Sequence, residues 1–106
     1  MPVKKKYLKS KPECKTTFIL SKEAAGNAEY VNIVGDFNNW DRAASPMKRL
    51  KNGSFTIDIN LACGREYQYR FLMDGITWEN DWAADSYIPS PMDACDNSVV
   101  VIDNLE

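Results

Sequence analysis

Two stretches of this chain alternate apolar and polar residues with a period of two, and that pattern leaves little choice of backbone. Phe55, Ile57, Ile59 and Leu61 interleave with Thr56, Asp58 and Asn60. Tyr67, Tyr69, Phe71 and Met73 interleave with Gln68, Arg70 and Leu72. Successive side chains of an extended strand point to opposite faces, so each stretch presents one apolar and one largely polar face. Turn signals bracket them: Asn52-Gly53 before the first, Cys63-Gly64 between the two and Asp74-Gly75 after the second. These dipeptides tolerate the left-handed backbone that tight hairpins require. The spacing predicts two strands, the first entered through the Asn-Gly hairpin and the second following the Cys63-Gly64 turn.

The remaining chain reads the same way. Residues 14–20 (CKTTFIL) and 30–34 (YVNIV) are rich in β-branched and aromatic residues, the second stopped by Gly35. Between them, 21–29 is a small, polar loop with room for a helical turn over Lys22–Ala25. Residues 36–45 form a long connection, and Pro46–Leu50 a short edge strand that starts on a proline, where a missing N–H matters least. Ile76–Trp78 begins a return strand, the acidic stretch 79–96 is mostly irregular, and 97–103 (NSVVVID) is the last strand. No segment sustains a 3.6-residue period. Six to eight short strands at intervals of roughly 8–15 residues predict an all-β antiparallel sandwich. At 106 residues this is one domain.

Charge is distributed unevenly. Residues 1–22 carry seven lysines against one glutamate, whereas 74–106 carry eight acidic residues and no Lys or Arg. Residues 1–13 read as a basic, solubilising arm that lies near the acidic part, ahead of a domain spanning 14–104. Lys4–Lys6 is a short run with only Tyr7 beside it, so neither nucleic acid nor membrane is an expected partner. Cys14, Cys63 and Cys95 form no CxxC pair and are odd in number. Reduced thiols, no apolar leader and no run long enough to span a bilayer predict a cytoplasmic protein.

Catalysis finds little to work with. The chain has no histidine, which removes the commonest general base and any Ser-His or Cys-His nucleophile pair. Asp74, Glu79, Asp81 and Asp85 fall on a turn and loop without the apolar surroundings that would separate two carboxyl pKa values. Asp81 and Asp85 with Asp93 or Asp96 lack calcium-loop spacing. The expectation is no catalytic residue, no metal and no cofactor.

The aromatic residues say more. Trp40 follows Asn38-Asn39 in the long connection, and Trp78 follows Asp74-Gly75. An exposed indole stacks on the C–H face of a sugar ring, while amides, guanidinium and carboxylate groups bond its hydroxyl rim. Arg70 belongs to the polar face of its strand, pointing away from the core that Tyr69 and Phe71 face. Trp82, in an acidic loop, reads as a cap on the sandwich.

These residues carry a resemblance. GDFNNW (35–40), GREYQYRFLMDG (64–75), Trp78 and NSVVV (97–101), in that order, resemble the family 48 carbohydrate-binding modules. That family includes the early-set domain of isoamylases and branching enzymes and the glycogen-binding domain of the AMP-activated protein kinase β subunit. The resemblance covers residues 14–103 and implies an immunoglobulin-like, early-set antiparallel β-sandwich of about 7–8 strands, here as a stand-alone domain. It implies non-catalytic binding of α-1,4-glucan of the glycogen or starch type. Trp40 and Trp78 match the two stacking tryptophans, and Arg70 matches a basic residue that bonds sugar hydroxyls. Asp96-Asn97 stand where the glycogen binders have two asparagines, the first of which contacts sugar. The candidate carbohydrate-binding residues are therefore Trp40, Trp78, Arg70, Asp96 and Asn97. This chain departs from those binders in having two residues between Gly75 and Trp78, and in lacking Leu-Gly-Thr within Ser90–Cys95. A second reading keeps the sandwich as a scaffold that binds no sugar, with a protein partner or a glycogen-metabolising enzyme on it.

Overall fold

The computed structural model describes residues 3–91 and 95–103. Among them, nine strands build two antiparallel sheets. The first sheet takes β1 (Lys4–Tyr7), β2 (Glu13–Leu20), β5 (Phe55–Ala62) and β4 (Lys48–Arg49), in that spatial order. The second takes β3 (Val31–Gly35), β6 (Arg65–Met73), β9 (Asp96–Ile102) and β8 (Ser86–Pro89), with β7 (Thr77–Glu79) also paired to β6. The expected all-β sandwich is what the chain forms. One helical turn, α1 (Lys22–Ala25), follows β2 and is capped by Ser21, whose Oγ accepts from Ala24 N–H at 3.2 Å.

The period-two residues meet between the sheets. Phe55, Leu61, Tyr67, Tyr69 and Phe71 are buried there with Phe18, Leu20, Ile33, Val100 and Ile102. Tyr69 lies at the centre, its ring edge-on to Phe18 at 4.9 Å and to Phe71 at 6.0 Å. Its hydroxyl donates to Asp81 Oδ2 at 2.7 Å. Asp81 is buried, and burial pushes its carboxyl above the ordinary 3.8, with the Tyr69 and Ala83 hydrogen bonds opposing that rise. The Asp81 N–H donates to Ser98 Oγ at 2.9 Å, so Asp81 ties β6 to β9.

The strand count exceeds the expected 7–8, because β1 and β8 were not legible. β1 lies inside the segment read as a basic arm, and β8 inside the stretch read as mostly irregular. Both are short edge strands, β1 rich in lysine and β8 ending on a proline. β1 is a ladder on β2 in which Lys6 faces Lys15 and Tyr7 faces Cys14. It is held to the second sheet by a Lys5–Asp85 ion pair of 2.7 Å and by Tyr7 Oη, which accepts from Asp103 N–H at 3.1 Å. β8 ends on Pro89, tolerated at an edge.

The second sheet has a feature that shapes its outer surface. β9 pairs with the first half of β6 (Arg65–Tyr69), and β7 pairs with its last three residues (Phe71–Met73), on the edge opposite β3. β6 therefore changes partner at Arg70.

Candidate functional site

The loop after β3 is built residue by residue from GDFNNW. Gly35 lies opposite Tyr69 on β6. A Cβ there would stand 2.5 Å from the Gln68 carbonyl oxygen and 2.7 Å from Tyr69 Cβ, so only glycine fits. Asp36 divides its carboxylate: Oδ2 accepts from Gln68 N–H at 2.7 Å, and Oδ1 accepts from the Trp40 indole N–H at 3.0 Å. Phe37 turns inward against Phe18 at 5.6 Å and anchors the loop in the core. Asn38 accepts from Gly35 N–H and donates to the Ile33 carbonyl, both at 3.0 Å, closing the turn. Asn39 and Trp40 both have φ of 57°, the left-handed region. Two consecutive residues held there reverse the chain, and Trp40 is brought onto the rim of the second sheet.

Trp78 reaches the same place from the other direction. It is opposite Leu72 across the β6–β7 pair and 37% exposed. Two guanidinium groups approach its indole, Arg42 at 5.5 Å and Arg70 at 5.9 Å from the ring centroid. Both distances lie within cation–π range. Arg70 alternates with Tyr69 and Phe71 and so faces away from the inter-sheet core, as the period-two pattern predicts. It is nonetheless buried, at 5% exposure, with the Trp78 ring against its guanidinium. Its Nη2 donates to the Cys95 carbonyl at 3.3 Å. Asn97, on β9, donates from Nδ2 to Gln68 Oε1 at 3.0 Å.

These side chains line an open depression of about 400 Å³ on the outer face of the second sheet. Trp40, Trp78, Arg70 and Asn97 are brought together there, with Asp36, Arg42, Gln68, Ser90 and Pro91. Asp96 is not. Neighbouring residues of a strand face opposite ways, so with Asn97 turned to the depression, Asp96 is turned from it, and its carbonyl accepts from Asn80 Nδ2 at 2.9 Å. Gln68, Asp36 and Arg42 were missed by sequence reasoning. The signal for Gln68 was present, since it shares the outer face of β6 with Arg70. Nothing local marked Arg42, whose place depends on the loop's fold. Trp82 lies elsewhere, 62% exposed with its indole N–H on Glu79 Oε2 at 3.1 Å.

Chemically, the depression offers two indoles, two guanidinium groups and a row of amides. The Asp36 carboxylate is already engaged by two donors. Among the described residues, no group of three or more His, Cys, Asp or Glu is arranged to hold a metal ion, and no helix is long and apolar enough to cross a membrane. Asp93, weighed above as a calcium ligand, lies outside the described residues.

Comparison with known proteins points one way. Residues 12–88 match the family described as carbohydrate-binding module 48, the isoamylase N-terminal domain. The chain is similar to the 1,4-alpha-glucan branching enzyme GlgB of Aquifex aeolicus, 37% identical over 54 residues, which cover 48% of this chain and 8% of that protein. It is 42% identical to the same enzyme of Butyrivibrio fibrisolvens over 65 residues, covering 59% of this chain and 10% of that protein. With Pseudomonas putida GlgB it shares 43% identity over 56 residues, 49% of this chain and 8% of that protein. The matched region is thus about a tenth or less of these relatives.

Proposed function

This chain belongs to the carbohydrate-binding module 48 family, and on that premise we propose that it binds α-1,4-glucan without catalysis, in the depression between Trp40 and Trp78. The observation that carries this reading is the convergence of two tryptophans, Trp40 from the loop after β3 and Trp78 from β7, with Arg70 and Asn97, on one open depression. The relatives' name, 1,4-alpha-glucan branching enzyme, supports the choice of glucan. Trp40 and Trp78 serve as platforms for the apolar faces of successive glucose units. Arg70, Arg42, Gln68 and Asn97 bond the hydroxyl rim. Among the described residues, no pair of carboxylates lines this depression as glycoside hydrolysis would require, and the one that does, Asp36, is engaged in building the loop.

The expected affinity is modest. A sugar face of about 80 Å² on each indole contributes about 2 kcal/mol at roughly 25 cal/mol per Å². Rim hydrogen bonds add about 1 kcal/mol each, against the cost of association. The dissociation constant for an oligosaccharide then falls between about 10 µM and 1 mM, and a polymer with many copies of the epitope is held more tightly through avidity. Calorimetric titration with maltoheptaose and β-cyclodextrin tests the reading. Saturable heat in that range supports it; a folded protein that yields no heat and is not retarded by glycogen refutes it.

A further inference from the structure

The outer surface of the first sheet is chemically unlike that of the second. β1 and β2 display Lys4, Lys6 and Lys15 on it, all exposed, and β4 adds Lys48. Register makes this surface costly for the isolated chain. Lys6 stands directly opposite Lys15 in the β1–β2 ladder, and like charges directly opposite one another destabilise an antiparallel pair. The compensation is slight: Asp58 lies 3.6 Å from the Lys15 ammonium, both side chains are half exposed, and the same carboxylate accepts from Thr17 Oγ1 at 2.6 Å. Lys5, between the two displayed lysines, turns the other way and is neutralised by Asp85. The cationic residues left on the outer surface are those without a comparable partner among the described residues.

The chemistry of the surface selects among anionic partners. It presents no aromatic ring, since Tyr7 turns inward against the core, so it offers nothing on which nucleic-acid bases could stack. Its large apolar content is Ile19, half buried, which gives a bilayer nothing to hold. Asp58 and Thr17 interrupt the lysines, a mixture of donors and acceptors that repels a continuous phosphate backbone and suits a protein surface carrying carboxylates and hydroxyls.

We propose that the outer face of the first sheet, centred on Lys6 and Lys15, docks an acidic protein segment while the opposite face of the sandwich stays open. The second sheet's surface is then left for glucan, and the domain joins two ligands back to back. This inference stands independently of the glucan reading.

The test uses the full 106-residue chain with a poly-glutamate peptide of about 15 residues as probe, followed by amide chemical shifts at low and high salt. Expected are shifts confined to β1, β2, β5 and β4, an affinity that weakens at least about tenfold between roughly 20 and 300 mM salt, and loss of both in Lys6→Glu/Lys15→Glu. β-Cyclodextrin titration of that variant reads the opposite face and is expected to be unchanged. Lys6→Thr alone is expected to raise the melting temperature by about 2–4 °C, because it removes the facing like charges. Shifts spread over the whole surface, undiminished binding by the charge-reversed variant, tighter binding of duplex DNA or phosphatidylserine vesicles than of the peptide, or no stabilisation by Lys6→Thr would each overturn the proposal.

Discussion

Replacing Trp40 by alanine removes two things that the structure keeps separable. One is an indole platform, whose loss weakens glucan binding by about 2 kcal/mol, roughly thirtyfold in dissociation constant. The other is the indole N–H bond to Asp36 Oδ1 at 3.0 Å. That bond is partly exposed and contributes about 1 kcal/mol to folding, which for a domain of this size is about 4–8 °C in melting temperature. Asp36 keeps its second partner, Gln68 N–H, and Phe37 and Asn38 keep the loop anchored. Trp40→Ala is therefore expected to stay folded and to bind maltoheptaose about thirtyfold more weakly. Trp40→Phe keeps an aromatic face but not the N–H, so it is expected to lose similar stability and recover most of the affinity. Calorimetric titration and thermal melting of both variants separate the two effects. A Trp40→Ala protein that collapses, or one that melts lower yet binds maltoheptaose as tightly as the parent, would refute the assignment of a platform and leave the indole as a cap on the loop.

Other outcomes follow from the same geometry. Gly35→Ala is expected to lose about 2–3 kcal/mol of stability, since the new methyl overlaps backbone at Gln68 and Tyr69; urea unfolding measures it, and the glucan affinity should fall with it because the Gln68–Asp36–Trp40 chain is displaced. Trp82→Ala is expected to leave maltoheptaose affinity within about twofold of the parent, as loss of a residue outside the depression should; a large loss by titration would move the site. For Asp81, burial raises the folded-state pKa above the ordinary 3.8, so the folded protein holds this proton more firmly than the unfolded chain. Its contribution to stability is fully present below the ordinary value and is lost as pH rises through the folded-state value. Urea unfolding across about pH 3–6 is expected to show the parent losing stability relative to Asp81→Asn as pH rises; a parent that gains on the variant would refute it.

Much of the scaffold was legible because its signals are local. Period two in 55–61 and 67–73, with turn residues between, needs only the geometry of an extended strand. The same geometry placed Arg70 on the outer face before any partner was known. β1 and β8 escaped because an edge strand buries little, so neither alternation nor hydrophobicity need mark it; their evidence is the ladder itself. Asp96 shows the limit of matching residues by motif, since one step along a strand turns a side chain to the other face. What the chain alone determined is the set of strands, the turns, and the residue types able to meet a sugar. What only the tertiary structure decided is which of them meet: β3 and β9 are distant in sequence from the β6–β7 hairpin, and their pairing with β6 brings Trp40 and Asn97 to the surface that carries Gln68 and Trp78. That arrangement is set by non-local backbone pairing and burial, and no window of sequence contains it.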